Sequence, residues 1–189
     1  MIDLVTEARK FQTYCEGLGW EFCFIGGLAL QHWGEPRLTR DIDVAILAGF
    51  GFEHEFASAI LKAYQPRLPD AAAFAQQHRV LLVRTSSGID FDVSLAALPF
   101  EERMIERSRN VEYLPDVGLR ICSAEDLIVL KSFANRTQDW QDVSSVVTRQ
   151  GAANLDWDYV LSSLEPLVAL KEEPQILERL NKLRLPSDD

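Results

Sequence analysis

The stretch from Phe22 to Leu47, FCFIGGLALQHWGEPRLTRDIDVAIL, restricts what this chain can become more than any other segment. Phe22-Cys23-Phe24-Ile25 is an apolar run of strand length, and Gly26-Gly27 breaks it where the backbone must turn sharply. Leu28-Ala29-Leu30-Gln31-His32-Trp33 then favours a short helix. Backbone N–H groups are expected to gather at the glycines and the helix start, a place that attracts phosphate. Fourteen positions after Gly27, Asp41-Ile42-Asp43-Val44-Ala45-Ile46-Leu47 reads as a strand, with Ile42, Val44 and Ile46 on one face and Asp41 and Asp43 on the other. Two acids side by side on a strand that begins at a sheet edge repel each other unless a cation lies between them. Paired carboxylates beside a phosphate cradle suit magnesium, a hard ion that takes oxygen ligands.

A second acid pair follows the same logic. Arg79–Arg84, Thr85-Ser86-Ser87-Gly88 and Ile89–Leu95 form a hairpin pattern in which Ile89, Phe91, Val93 and Leu95 face one way and Asp90, Asp92 and Ser94 the other. Placed beside the Asp41 strand, this strand would bring a third carboxylate to the same pocket. Asp-x-Asp alone carries little weight, since it occurs again as Asp156-Trp157-Asp158. That third pair precedes a helical pattern and reads as an N-cap, whereas aspartate on a strand is disfavoured and needs a reason.

Around these strands the pattern is helical at Asp3–Leu18, Phe52–Tyr64, Asp70–Gln77 and Pro99–Arg109, with a small hairpin over Val111–Cys122. Ser123-Ala124-Glu125-Asp126 has the form of a capping box and opens a helix to about Asn135. Three more helices are expected at Thr137–Arg149, Trp157–Leu170 and Pro174–Leu183. The chain thus divides into a mixed α/β core over residues 1–122 and a helical region over 123–185 that completes a cleft, with Pro186–Asp189 a disordered tail.

Composition excludes several classes of function. A formal charge of −10 argues against holding nucleic acid on a broad basic surface. No apolar run approaches the roughly 20 residues that cross a bilayer, and Met1-Ile2-Asp3-Leu4 does not open a signal peptide, so a cytoplasmic protein without membrane partners is expected. Cys15, Cys23 and Cys122 are odd in number and are not clustered with His32, His54 or His78, which argues against a zinc site or a disulfide framework.

Ile25-Gly26-Gly27 followed by Asp41-Ile42-Asp43 resembles the signature of the DNA polymerase β nucleotidyltransferase superfamily. Three further runs are similar to its toxin-like AbiEii branch: Arg37-Leu38-Thr39-Arg40-Asp41-Ile42-Asp43, then Asp92–Glu101 with its Pro-Phe-Glu helix start, then Leu130–Arg136 continued by Asp139 and Asp142. The resemblance spans about Phe22 to Val147. It implies an α/β (α+β) fold, a small mixed sheet flanked by helices and followed by a helical region. It also implies transfer of a nucleoside monophosphate from a nucleoside triphosphate (NTP) to a hydroxyl, releasing pyrophosphate. In that reading Asp41, Asp43 and Asp92 bind two Mg²⁺ ions as catalytic metal ligands. Gly26 and Gly27 hold phosphates with Lys131 assisting as a catalytic residue, and Arg37 and Thr39, unless they are ordinary loop residues, complete the nucleotide site by steadying the Asp41 strand. Relatives in that branch further suggest RNA, including tRNA ends, as acceptor and a separate antitoxin protein as partner.

Plainer readings exist for some of these residues. Lys131 sits in a mostly apolar helix and could snorkel to solvent. Arg136, Asp139 and Asp142 could form a structural ion-pair network, and Trp33 and Trp140 read as core. For the chain as a whole, the alternatives are a non-catalytic nucleotide- or partner-binding protein on the same scaffold, or an enzyme that nucleotidylates a small molecule or a protein.

Overall fold

The computed structural model describes residues 2–184, so the tail expected to be disordered, Pro186–Asp189, lies outside the described residues. These residues gather into two compact units. The first takes the chain up to Leu28 together with Leu38–Cys122, and the second takes Ala29–Arg37 together with the chain from Ser123 onward.

The first unit is built on a mixed seven-stranded sheet. In chain order the elements are α1 (Ile2–Gly17), β1 (Phe22–Phe24), the start of α2 (Gly26–Trp33), β2 (Asp41–Leu47), α3 (Glu53–Ile60), β3 (Gln65–Pro66), α4 (Ala71–His78), β4 (Val80–Arg84), β5 (Asp90–Ala96), α5 (Pro99–Arg107), β6 (Arg109–Leu114) and β7 (Val117–Ile121). The strand order is β3-β4-β5-β2-β1-β7-β6. β2 runs parallel to β5 and antiparallel to β1, so the strand expected to begin at a sheet edge is the central one. The reason lies past Asp43, where alternation gives way to Val44-Ala45-Ile46, all buried. A strand covered on both faces reads as such an unbroken apolar run.

Ile42, Val44 and Ile46 share one face with Phe91, Val93 and Leu95 of β5, and all six are buried. α1 closes over this face, stacking Phe11 on Phe91 with ring centroids 4.8 Å apart. Each such side chain contributes roughly 1.5–3 kcal/mol when withdrawn from water. The helix expected over Phe52–Tyr64 stops at Ile60. The chain then turns back, Tyr64 packs against Phe11 at 5.3 Å, and Gln65-Pro66 pairs with β4 as a short edge strand that the sequence reading did not contain. Proline is tolerated there because an edge strand leaves its nitrogen without a ladder partner.

The second unit is helical: α6 (Ala124–Ala134), α7 (Thr137–Gln150), a turn of 3-10 helix (Ala152–Asn154), α8 (Trp157–Lys171) and α9 (Gln175–Arg184). Ser123 caps α6 as expected, its hydroxyl accepting from the Asp126 N–H at 3.2 Å while the Asp126 carboxylate reaches back to Ser123. Asp156 caps α8 by accepting from the Tyr159 N–H at 3.0 Å. Leu127, Ile128, Val143, Val146, Val160, Leu164, Ile176 and Leu180 form the apolar interior. Among the described residues no helix is long and apolar enough to cross a membrane, and Cys15, Cys23 and Cys122 are buried.

Candidate active site

The register of the two central strands sets the site. Asp41 pairs with Asp90 and Asp43 with Asp92. Paired residues of parallel strands point to the same face, so all four carboxylates stand on one side of the sheet, half-buried, with Ile42 and Phe91 buried on the other. The glycine corner closes on this face. Gly26 has φ +56°, and a Cβ there would lie 1.9 Å from Oδ2 of Asp43, so only glycine fits. Gly27 donates its N–H to the same oxygen at 3.4 Å, and a Cβ on Gly27 would lie 2.5 Å from Oγ1 of Thr39. Thr39, itself buried, donates its hydroxyl to Oδ1 of Asp41 at 3.0 Å. Gly26, Gly27, Thr39, Asp41 and Asp43 therefore form one contiguous group.

Two arginines occupy the β5 side of this face. Arg67 donates to Asp92 at 2.5 Å and stands 3.5 Å from Asp90, while Arg84 donates to both oxygens of Asp90 through its Nε and Nη2. The hydrogen bond and charge of Arg84, with the charge of Arg67, outweigh partial burial and hold the Asp90 carboxyl below the usual range. Asp90 is thereby committed to cross-strand pairing with Arg84, its register partner on β4. Arg67 was invisible in the sequence. It follows the short strand β3, and its N–H donates to the carbonyl of Leu82, the residue opposite Asp92. Nothing about an isolated arginine between two prolines signals that position.

Asp41, Asp43 and Asp92 share a face, yet among the described residues no three histidine, cysteine or acidic side chains stand as a ready metal-binding group. The donors are all carboxylate oxygens, the type a hard divalent cation takes, and the glycine corner leaves space only for the Asp43 carboxylate. Asp41 and Asp43 thus fit such an ion. Asp92 is instead engaged by Arg67.

Lys131 and Arg37 belong to a different cluster, inside the second unit. The Lys131 ammonium is buried between Asp142 at 2.9 Å and Asp139 at 3.3 Å. Arg37 donates twice to Asp142, both bonds at 2.9 Å, and Arg136 clasps Asp139 at 2.6 Å and 3.1 Å. Burial pushes both carboxyls up, but hydrogen bonds from Arg136 to Asp139 and from Arg37 and Lys131 to Asp142, reinforced by the lysine charge, win and hold both below the usual range. The lysine read from sequence as a phosphate ligand is thus engaged by two acids, joining α6 to α7 and to the segment before β2.

A family model matches residues 1–175 and is described as a nucleotidyltransferase of unknown function, DUF6036. The chain belongs to the DUF6036 nucleotidyltransferase family. No curated protein sequence matches this DUF6036 chain significantly. Its fold is similar to that of the antibiotic-resistance factor ANT(2″)-Ia, here in complex with adenylyl-2″-tobramycin, at TM-score 0.55 and 14% identity, covering 88% of this chain and 98% of that one. It also resembles an antigenic nucleotidyltransferase-like protein from Paracoccidioides brasiliensis at TM-score 0.53, 13% identity and coverages of 94% and 92%. The lincosamide antibiotic adenylyltransferase LnuA, lincomycin-bound, matches at TM-score 0.51, 13% identity and coverages of 75% and 94%. These likenesses show a nucleotidyltransferase fold, and the family match is to DUF6036.

Proposed function

We propose that this DUF6036 protein transfers a nucleoside monophosphate from a nucleoside triphosphate to a hydroxyl of a small molecule, releasing pyrophosphate. The observation that carries the proposal is Asp43, in register with Asp92 and closed over by a Gly26-Gly27 corner that excludes any side chain. A divalent cation, Mg²⁺ by donor type, held by Asp41 and Asp43 with Asp92 joining, would supply Lewis-acid charge at the reacting phosphate and lower the pKa of the acceptor hydroxyl. The chain's own part is to orient. N–H groups at the start of α2 would meet the phosphates, Thr39 fixes the Asp41 carboxylate by its hydroxyl, and Arg67, which holds Asp92, would release it to a metal. Lys131 and Arg37 act in this reading by fixing α6, α7 and the approach to β2, not by touching phosphate.

A small-molecule acceptor is favoured over RNA by the formal charge of −10 and by the antibiotic substrates named for two of the similar folds. A second reading, an RNA-modifying toxin opposed by an antitoxin, rests on the Arg-x-Thr-x-Asp-x-Asp and Pro-Phe-Glu runs. The two separate when the protein is incubated with each of four α-labelled nucleotides and either a panel of hydroxylated antibiotics or total RNA. Label on a small molecule supports the first reading, label on RNA the second, and label on neither acceptor contradicts both.

A further inference from the structure

The second unit holds a pocket of about 920 Å³ whose electrostatics run against those of the rest of the molecule. A chain of formal charge −10 presents Arg149, Arg179 and Lys182 at this pocket against a single carboxylate, Glu35. Among the described residues none of the three cations pairs with an acid. Arg149 donates to the uncharged carbonyl of Gly34, and Arg179 lies over the Trp140 ring with its guanidinium carbon 4.7 Å from the centroid. The positive field is felt nearby, since burial and the Arg149 charge together hold the His32 imidazole below its usual range. Trp140 is buried and anchored by its indole N–H donating to Asn135 at 2.7 Å, so the guanidinium above it is supported from below. Ser144 and Thr148, one turn apart on α7, add hydroxyls to the same wall.

A concave site of this volume is of small-molecule size. Three cations, a row of hydroxyls and an indole floor match an organic phosphate, with oxygens for the guanidinium forks and a body that packs on the apolar wall. We infer that this pocket binds a phosphorylated small molecule. The inference is independent of the proposed transferase reaction, because none of the four sheet carboxylates lines the pocket. A nucleic acid is the poorer occupant, since the remainder of the acidic surface would repel a phosphate chain.

Fructose 1,6-bisphosphate and unphosphorylated fructose serve as probes, with binding followed by NMR at the indole N–H of Trp140, assigned through Trp140→Phe. The bisphosphate is expected to shift that signal saturably while fructose does not. The exposed double variant Arg179→Gln/Lys182→Gln should weaken binding about tenfold, the loss expected of two partly exposed charge contacts. Asp43→Asn should leave it unchanged. A bisphosphate that fails to move the Trp140 signal, or binds the double variant as tightly as the parent, overturns the inference. So does single-stranded RNA that displaces the bisphosphate at lower concentration, which would make the pocket a nucleic-acid site.

Discussion

Gly26 is the residue at which sequence and chemistry meet most tightly. Its positive φ costs an alanine about 1–2 kcal/mol before any clash, and the added methyl would strike the Asp43 carboxylate. Gly26→Ala should therefore lower the melting temperature and depress transfer together. A variant that melts like the parent and stays fully active would show that the corner is not tight. Arg67 gives a second residue-level expectation. If its guanidinium competes with metal for Asp92, Arg67→Gln should bind Mn²⁺ more tightly in a calorimetric titration, and adding Asp92→Asn should cancel the gain. An unchanged or weaker affinity would leave Arg67 a structural clamp. The strand positions of Asp41, Asp43 and Asp92 were legible because strand alternation beside a glycine turn is a local pattern. Arg67 was not legible, since it meets Asp92 from 25 positions away through the pairing of β3 with β4.

Among the elements, helices and strands were read mostly where one period dominates, and errors fell where two demands met. β2 alternates for three residues and then becomes wholly apolar, so its acid face suggested an exposed edge while its second half already marked it as central. The end of α3 was overrun because Leu61–Tyr64 continue an apolar pattern that tertiary packing of Tyr64 converts into a turn. The union of α6 and α7 through Lys131, Asp139 and Asp142 yields predictions at this scale. Lys131→Met leaves two buried carboxylates without their ammonium and should cost roughly 3–5 kcal/mol in denaturant unfolding. Both carboxyls titrate below their unfolded values, so the stability they add is complete above about pH 4 and is lost as pH falls through their folded values. In that interval the unfolded chain takes up protons first. Asp142→Asn should lower stability at neutral pH and flatten its decline below about pH 4. An equally steep decline in the variant would place the acid sensitivity elsewhere.

Over the whole molecule, a nucleotidyltransferase sheet carries four carboxylates on one face, and a helical unit carries a basic pocket in an otherwise acidic chain. The fold class was legible because the glycine turn and the two acid-bearing strands occur in the order that the sheet requires. The pocket was not legible, because Glu35, Trp140, Arg149 and Arg179 come from three separate segments and only packing brings them together. Carboxylates grouped on one face also make ligand binding visible as stability: Mg²⁺ with nucleotide should raise the melting temperature more than either alone. The central claim is tested most directly by supplying a nucleoside triphosphate labelled in turn at the α- and γ-phosphate, with Mg²⁺ and acceptor, to the parent protein and to Asp41→Asn and Asp43→Asn. The account predicts that the α-label passes to the acceptor while the γ-label leaves in pyrophosphate. Each variant should retain its fold and lose transfer by roughly a hundredfold or more, the scale of removing one electrostatic partner of the reacting charge. Transfer of the γ-label, or undiminished α-transfer in the folded Asp43→Asn protein, would contradict it.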